Sequence, residues 1–211
     1  TNSLIIVSIS TAVSIVISVF AGYALDRFRF RGRRLFGHFL VSAQTMPNFL
    51  ILLPLYLIYV FMRAVLRVPM VGTYQGVIIT YLAFTLPFSI WMMKGFFETI
   101  PKELEEAAFI DGCGYIGAIR RIILPLTLPG VTAVAIYGFL LGWQEVLFAS
   151  ALTDARTRTI AVGLRNYAST TSTYWNEMMA ASVTVTIPIV LLFIFLQRYF
   201  ISGLTAGGVK G

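Results

Sequence analysis

The residues best suited to chemistry are carboxylates gathered in one stretch between two apolar segments, EEAAFIDGCGYIGAIRRIILP. An intramembrane aspartyl protease needs two carboxylates within the membrane, and the uncharged segments of this chain contain none. With His38 as the one histidine and Cys113 as the one cysteine, neither a His-Glu-x-x-His zinc site nor a cysteine-based metal site is possible. A glycine-rich phosphate loop is also absent from the sequence. We therefore expect no catalysis and no cofactor in this chain.

The segments that flank and position this stretch are long and apolar. The chain is 58% hydrophobic and 12% charged, whereas a soluble domain is about 25% charged. Lipid offers the backbone no hydrogen-bond partner, so apolar stretches of about 20 residues are expected to cross a bilayer as helices. The composition predicts an all-α polytopic membrane protein with five spanning helices, at Ser3–Leu25, Leu35–Met62, Val68–Met93, Ile122–Gln144 and Met178–Gln197.

The basic residues predict the orientation of these helices. Five arginines separate the first two apolar segments, which places that loop in the cytoplasm by the positive-inside rule. Alternation along the chain then gives 11 Lys and Arg inside against 5 outside, with the C-terminus inside. The carboxylate-bearing stretch also faces the cytoplasm. The net charge of +7 is explained by basic loops, and we expect contact with membrane lipid rather than with nucleic acid.

The cytoplasmic stretch is predicted to form two short helices with a corner between them. Pro101 suits the first helical position, Gly112 suits a left-handed helix end, and a second helix starts near Tyr115. Small side chains at Ala107 and Ala108 allow another backbone to approach closely. A helix lying on the membrane surface is the alternative, but its polar face would usually be rich in Lys and Arg. The acidic face favours a protein partner.

The sequence of this stretch resembles the EAA loop of permease subunits from binding-protein-dependent ABC importers. The family pattern is Glu-Ala-Ala, Asp-Gly and Leu-Pro, and it matches residues 106–108, 111–112 and 124–125. Further runs resemble the maltose-type sugar permeases in particular: WQEVLFASALTD, TIAVGL, MMAASV and the C-terminal QRYFISGLTAGGVKG. The resemblance extends from Asn2 to Gly211.

This resemblance implies the type I ABC importer permease fold, with six helices in the full protein and one N-terminal helix missing here. Residues 1–211 would form a single transmembrane domain in the prokaryotic plasma (inner) membrane. The expected partners are a second homologous permease, two ABC ATPase subunits that bind ATP and magnesium, and an extracytoplasmic solute-binding protein. The solute would be a sugar or oligosaccharide. A non-sugar solute such as a polyol phosphate or polyamine is the alternative, and a non-transporting membrane scaffold is a third.

Residues 98–125 would then be a cytoplasmic coupling loop that docks on the ATPase. The resemblance assigns this role to Glu105, Glu106, Ala107, Ala108, Asp111 and Gly112. The glycine-rich tail, residues 203–211, has two interpretations. Its composition is typical of a disordered end, and the resemblance implies a segment that extends to the ATPase dimer interface.

Polar residues within the apolar segments are candidates for the solute pathway. Gln44 and Asn48 flank Met46-Pro47, and Tyr81, Thr85 and Ser89 repeat at four-residue spacing on one helix face. Amides and hydroxyls of this kind can bond to sugar hydroxyls. The same residue types also form ordinary hydrogen bonds between packed helices, at about 0.6 kcal/mol each.

A second candidate surface lies at the outer membrane boundary. Trp143, Gln144 and Glu145 fall in a loop that the resemblance places near the docked solute-binding protein. A tryptophan at this depth is equally typical of the aromatic belt at a membrane interface.

Overall fold

The structure is a computed structural model that describes residues 1–167 and 174–207, which form helices joined by short connections. The bounds of the helices, in chain order, are α1 Asn2–Arg27, α2 Arg33–Thr45, α3 Asn48–Leu66, α4 Tyr74–Glu98, α5 Glu103–Ile110, α6 Tyr115–Ala118, a π-helical turn Ile119–Ile123, α7 Leu124–Leu126, α8 Leu128–Gln144, α9 Leu147–Leu152, α10 Ile160–Leu164, a 3-10 turn Arg165–Tyr167, and α11 Trp175–Gly207.

Within the described residues, four helices are long and apolar enough to cross a bilayer: α1, α3, α4 and the Trp175–Tyr199 part of α11. A fifth crossing is obtained when Tyr115–Leu126 and Leu128–Gln144 are counted together, with a bend of 79° between them. The five predicted spans therefore correspond to four single helices and one bent pair. The predicted tail begins inside α11, and its last residues, 208–211, lie outside the described residues.

Two predicted spans are not the uninterrupted helices expected from the sequence. The stretch Leu35–Met62 divides into α2 and α3 at Met46-Pro47. A proline disfavours helical geometry in the residue before it, and Met46 is extended, with a ψ of 130°. The stretch Ile122–Gln144 contains the 79° bend at Thr127, which lies between two prolines that donate no backbone hydrogen bond.

The core of the bundle forms where α1 packs on α4 and α8. Small residues recur every four positions along the buried face of α1, and they let the helices approach closely: Ser10, Ser14, Ser18 and Gly22. A Cβ added at Gly22 would lie 3.0 Å from the backbone nitrogen of Lys94 on α4. The side chain of Thr11 lies against Gly138 of α8 in the same way. This packing makes α1, α4 and α8 one body.

Candidate functional site

The candidate coupling loop forms the corner that its sequence predicts. The first helix of the loop, α5, begins at Glu103, two residues later than the predicted start at Pro101. Gly112 has a φ of +83°, the left-handed conformation expected of it. The Cys113 amide donates to the Ala108 carbonyl at 2.9 Å and closes the end of α5. The chain then reverses into α6.

Glu105 attaches the loop to the last turn of α1. Its carboxylate accepts hydrogen bonds from the hydroxyl of Tyr23 and from Nε of Arg27, the latter at 2.8 Å. Arg27 also contacts the Asp26 carboxylate at 2.6 Å and donates to the Ile100 carbonyl at 3.0 Å. The side chains of Arg27 and Glu105 are 7% and 5% exposed. The buried guanidinium of Arg27 thus joins α1 both to Ile100, which precedes α5, and to Glu105 within α5.

The electrostatics of this cluster depend on Arg27. Burial raises the pKa of the Glu105 carboxyl, and the negative charge of neighbouring Glu106 adds to the rise. A buried carboxylate is stabilised in its charged form by an adjacent cation and by hydrogen-bond donors. Arg27 supplies the cation and Tyr23 supplies a further hydrogen-bond donor. Both oxygens of the Glu105 carboxylate therefore accept hydrogen bonds within this chain.

A row of aromatic rings gives the loop a second attachment. Phe97 of α4, Tyr23 and Phe28 at the end of α1, Tyr115 of α6 and Phe109 of α5 follow one another in edge-to-face contact. Their ring centroids are 5.0–6.1 Å apart, within the range in which such pairs attract each other. No regular spacing relates these residues from four separate segments, so the row is not predictable from the sequence.

The opposite side of the loop is exposed and largely apolar. Ile110 is 87% exposed and Ile116 is 72% exposed, and Leu104 and Tyr115 are exposed as well. Of the six predicted coupling residues, four are exposed: Glu106, Ala107, Asp111 and Gly112. Glu105 and Ala108 are buried within the chain. The predicted set therefore divides into two groups. The buried residues hold the loop against the bundle, and the exposed residues are free to contact a partner.

The three predicted pathway residues on α4 are enclosed by protein. The Tyr81 hydroxyl donates to Glu145 at 3.3 Å, the Thr85 hydroxyl donates to the Tyr81 carbonyl, and Ser14 of α1 donates to Ser89 at 3.3 Å. All three side chains are at most 2% exposed. Their hydrogen bonds lie within and between helices, which is the second of the two interpretations of this pattern. They line no open surface in this arrangement.

The remaining polar candidates of the apolar segments behave differently. Gln44 near the end of α2 and Asn48 at the start of α3 are both exposed, on either side of the interruption at Met46-Pro47. Their amide groups are available to a solute or to a neighbouring subunit. Of the five pathway candidates, these two are the ones that the fold leaves accessible.

The outer-boundary candidates are mostly used by the fold. The indole of Trp143 donates to the Val185 carbonyl at 3.1 Å and stacks on Phe139. Glu145 accepts hydrogen bonds from the amides of Phe148 and Ala149, each at 2.8 Å, which satisfies free N–H groups at the start of α9. Gln144 alone of the three is exposed. It is the one predicted contact residue that remains available to a docked protein.

Comparison with known proteins identifies the family. A sequence profile of the family described as "Binding-protein-dependent transport system inner membrane component" matches residues 14–205. The Escherichia coli (strain K12) "Inner membrane ABC transporter permease protein YcjP" is 37% identical over 211 residues, which is 100% of this chain and 73% of that protein. The "Trehalose/maltose transport system permease protein MalG" of Thermococcus litoralis is 37% identical over 212 residues, 100% of this chain and 74% of that protein.

Solved structures show the same fold. A bacterial ABC transporter involved in the import of the acidic polysaccharide alginate contains a chain with a TM-score of 0.73 and 22% identity, covering 94% of this chain and 73% of that one. The inward-facing MetNI methionine ABC transporter gives a TM-score of 0.73 at 19% identity, covering 96% and 93%. At these identities the likeness shows the fold alone.

The chain therefore belongs to the inner membrane components of binding-protein-dependent transport systems. It is a permease subunit of an ABC importer, a multi-pass inner membrane protein without catalytic activity of its own. Membership implies an ATPase and a solute-binding protein as partners. The family and the all-α permease fold predicted from the sequence are confirmed.

Proposed function

We propose that this permease imports a sugar or oligosaccharide. The support is the function of its relatives, which include permeases for trehalose and maltose, for diacetylchitobiose and for maltodextrin, at 37% identity and over the full length of this chain. Nothing in the described residues favours a polyamine or polyol phosphate. The chain would form half of the pathway, and a second homologous permease would form the other half.

The coupling loop would dock on an ABC ATPase. The observation that carries this proposal is the exposed apolar face of α5 and α6, with Ile110 at its centre and Glu106 and Asp111 beside it. An exposed apolar patch on a short helix is typical of a helix that binds in a groove on a partner. ATP and magnesium would bind to two such ATPase subunits, and the C-terminus would lie on the same, cytoplasmic, side.

Movement of the loop would pass to the bundle through Glu105. Closure of the ATPase dimer would displace α5, and the buried contacts from Glu105 to Tyr23 and Arg27 would carry α1 with it. Because α1 packs closely on α4 and α8, these helices would move as one rigid body and change the access of the pathway. Gln44 and Asn48 are the accessible polar groups proposed to face that pathway, and Gln144 would face the solute-binding protein.

The docking proposal is tested by disulfide cross-linking in the assembled importer. With Cys113→Ser as background, Ile110→Cys should cross-link to the ATPase subunit carrying cysteines along its groove. Leu35→Cys is the matched control because Leu35 is similarly exposed, at 75%, near the same end of the bundle but outside the loop. Cross-linking through Leu35→Cys alone, or co-purification of this chain without any ATPase, would overturn the proposal.

The solute is tested separately. The solute-binding protein that co-purifies or is encoded beside this permease should be screened by calorimetry against maltose, trehalose, chitobiose, putrescine and glycerol phosphate. Binding of a sugar, followed by uptake of that sugar into vesicles containing the complete importer, is the expected result. Binding of putrescine or glycerol phosphate with no sugar bound would contradict it.

A further inference from the structure

A cleft outside the coupling loop lies between α2 and the neighbouring ends of α1 and α4. Its volume is about 620 Å³, within the range of about 300–1,000 Å³ that is usual for ligand sites. The cleft has an apolar floor, to which Leu25, Leu40, Val41 and Trp91 contribute. Basic or titratable side chains from three separate segments converge on the same cleft: Arg29, Arg33, Arg34, His38 and Lys94.

Most of these cations have no acidic partner among the described residues. In the part of the chain that the structure describes, the ion pairs within 4 Å involve Arg27 and Lys94. Arg29, Arg33 and Arg34 therefore carry positive charge into the cleft without a carboxylate to balance it. The positive-inside rule accounts for the sign of these residues. It does not account for their convergence on one apolar cavity.

Trp91 and Lys94 favour a position of the cleft at the depth of the lipid headgroups. Trp91 is 53% exposed and precedes Lys94 by one turn near the end of α4, the position in which tryptophan and lysine mark a membrane interface. Beside the cleft, α2 exposes Phe36 and Phe39, at 40% and 63%, to the apolar surroundings of the bundle. A ligand with an anionic end and an apolar end could therefore contact the basic side chains with the first and the apolar side chains with the second.

We propose that this cleft binds an anionic phospholipid. The lipid phosphate would lie among Arg29, Arg33 and Arg34, since arginine forms bidentate, charge-assisted hydrogen bonds with phosphate oxygens. The first carbons of an acyl chain would lie along Val41 and Trp91. Basic pockets between membrane helices on the cytoplasmic side are suited to such headgroups, and the apolar floor favours a lipid over free phosphate. The bound lipid would connect α2 to α1 and α4.

Native mass spectrometry of the purified importer tests this proposal. The protein is exchanged into micelles that contain equal amounts of dioleoyl phosphatidylglycerol and dioleoyl phosphatidylcholine. Each cation near an anionic lipid strengthens binding about fivefold, so wild type should retain phosphatidylglycerol at least tenfold better. Arg33→Gln with Arg34→Gln should remove most of that preference, leaving the contribution of Arg29. Arg31→Gln with Arg120→Gln removes the same charge outside the cleft and should preserve it.

Several results would overturn the proposal. Equal retention of the two lipids by wild type would overturn it. This measurement needs no variant, so it holds even if the double glutamine variant fails to fold. An equal loss of preference in the control variant would show that the preference comes from general surface charge and not from the cleft. Displacement of the lipid by millimolar glycerol phosphate would indicate a simple anion site. Absence of lipid in the complete importer but not in the isolated chain would indicate that a partner subunit covers the cleft. None of these outcomes depends on the identity of the transported solute.

Discussion

The two ends of the helix bundle use their polar residues in opposite ways. At the arginine end, which contains residues 27–34 and the coupling loop, one ionic cluster and a row of rings hold a loop whose other face is exposed. At the far end, polar side chains bind the chain's own backbone. Asn2, for example, donates to the carbonyls of Arg156 and Arg158 at 2.7 and 3.0 Å.

The far end is held together by several such hydrogen bonds. Ser3 accepts from the Ile160 amide at 2.6 Å, and Tyr74 donates to Asn2 at 2.9 Å. Asp154 accepts from the amides of Arg156 and Thr157, which lowers the pKa of its carboxyl below the usual value. Hydrogen bonds of this kind contribute about 1 kcal/mol each, so no single one dominates.

The two ends therefore depend on single residues to different degrees. The far end is held by several weak hydrogen bonds, so the loss of any one of them should lower its stability only slightly. The loop at the arginine end is held by one ionic cluster and one row of rings, so it depends strongly on Arg27, the cation of that cluster. We therefore expect substitutions at the arginine end to change stability and coupling together, and substitutions at the far end to change stability alone.

The largest effect is expected for Arg27→Ala. This change leaves the carboxylates of Glu105 and Asp26 buried without their cation, and breaking a buried ion pair costs about 3–5 kcal/mol. The apparent melting temperature in detergent should fall steeply. The control is Arg31→Ala, because Arg31 is exposed in the same loop. Equal melting temperatures for the two variants would show that the cluster is not what holds the loop.

A smaller but more selective contrast is expected between two adjacent glutamates. Glu105→Ala leaves the Tyr23 hydroxyl and Arg27 without an acceptor, at a cost of about 1–3 kcal/mol. Glu106→Ala, at an exposed position, should leave the melting temperature unchanged and weaken ATPase binding. Thermal unfolding and ATPase co-purification, measured on both variants, separate the two roles. The reverse pattern would contradict the assignment of Glu105 as the residue that holds the loop.

Gly112→Ala should cost about 1–2 kcal/mol, since an alanine at a φ of +83° is strained although the space around it is open. ATP-driven uptake should fall because the corner of the loop changes. Gly114→Ala is the control, at a φ of −80° and with equally open space. Gly112→Asn should restore part of the uptake, since asparagine tolerates this conformation. Equal uptake by Gly112→Ala and Gly114→Ala would show that the left-handed conformation at Gly112 is not needed for transport.

The smallest effect on coupling is expected at the far end. Glu145→Ala removes the acceptor for two amides at the start of α9 and for the buried Tyr81 hydroxyl, and leaving such groups unpaired costs about 1–3 kcal/mol. The melting temperature should fall, while the ratio of ATP hydrolysed to solute transported stays at the wild-type value. A changed ratio would mean that this end also takes part in coupling, and the proposed division between the two ends would be lost.

Much of the fold was predictable because it depends on local physics. Length and hydropathy alone predict helices wherever about 20 apolar residues meet lipid. Each predicted span overlaps a helix, although Leu35–Met62 is divided and Ile122–Gln144 is bent. The left-handed corner at Gly112 follows from the low cost of that conformation for glycine. The break at Met46-Pro47 was visible as a proline, but its consequence depends on whether neighbouring helices restore the lost hydrogen bond.

The direction in which each polar face points, by contrast, is set by the packing of the helices. A four-residue spacing places Tyr81, Thr85 and Ser89 on one side of α4, yet it does not determine whether that side meets a pathway or another helix. The position of α1 decides this, through contacts between residues 75 positions apart, such as Ser14 and Ser89. Likewise, Glu105 and Glu106 are neighbours with the same chemistry. Which of them is buried depends on where Arg27 lies, and sequence spacing alone carries no information about that long-range contact.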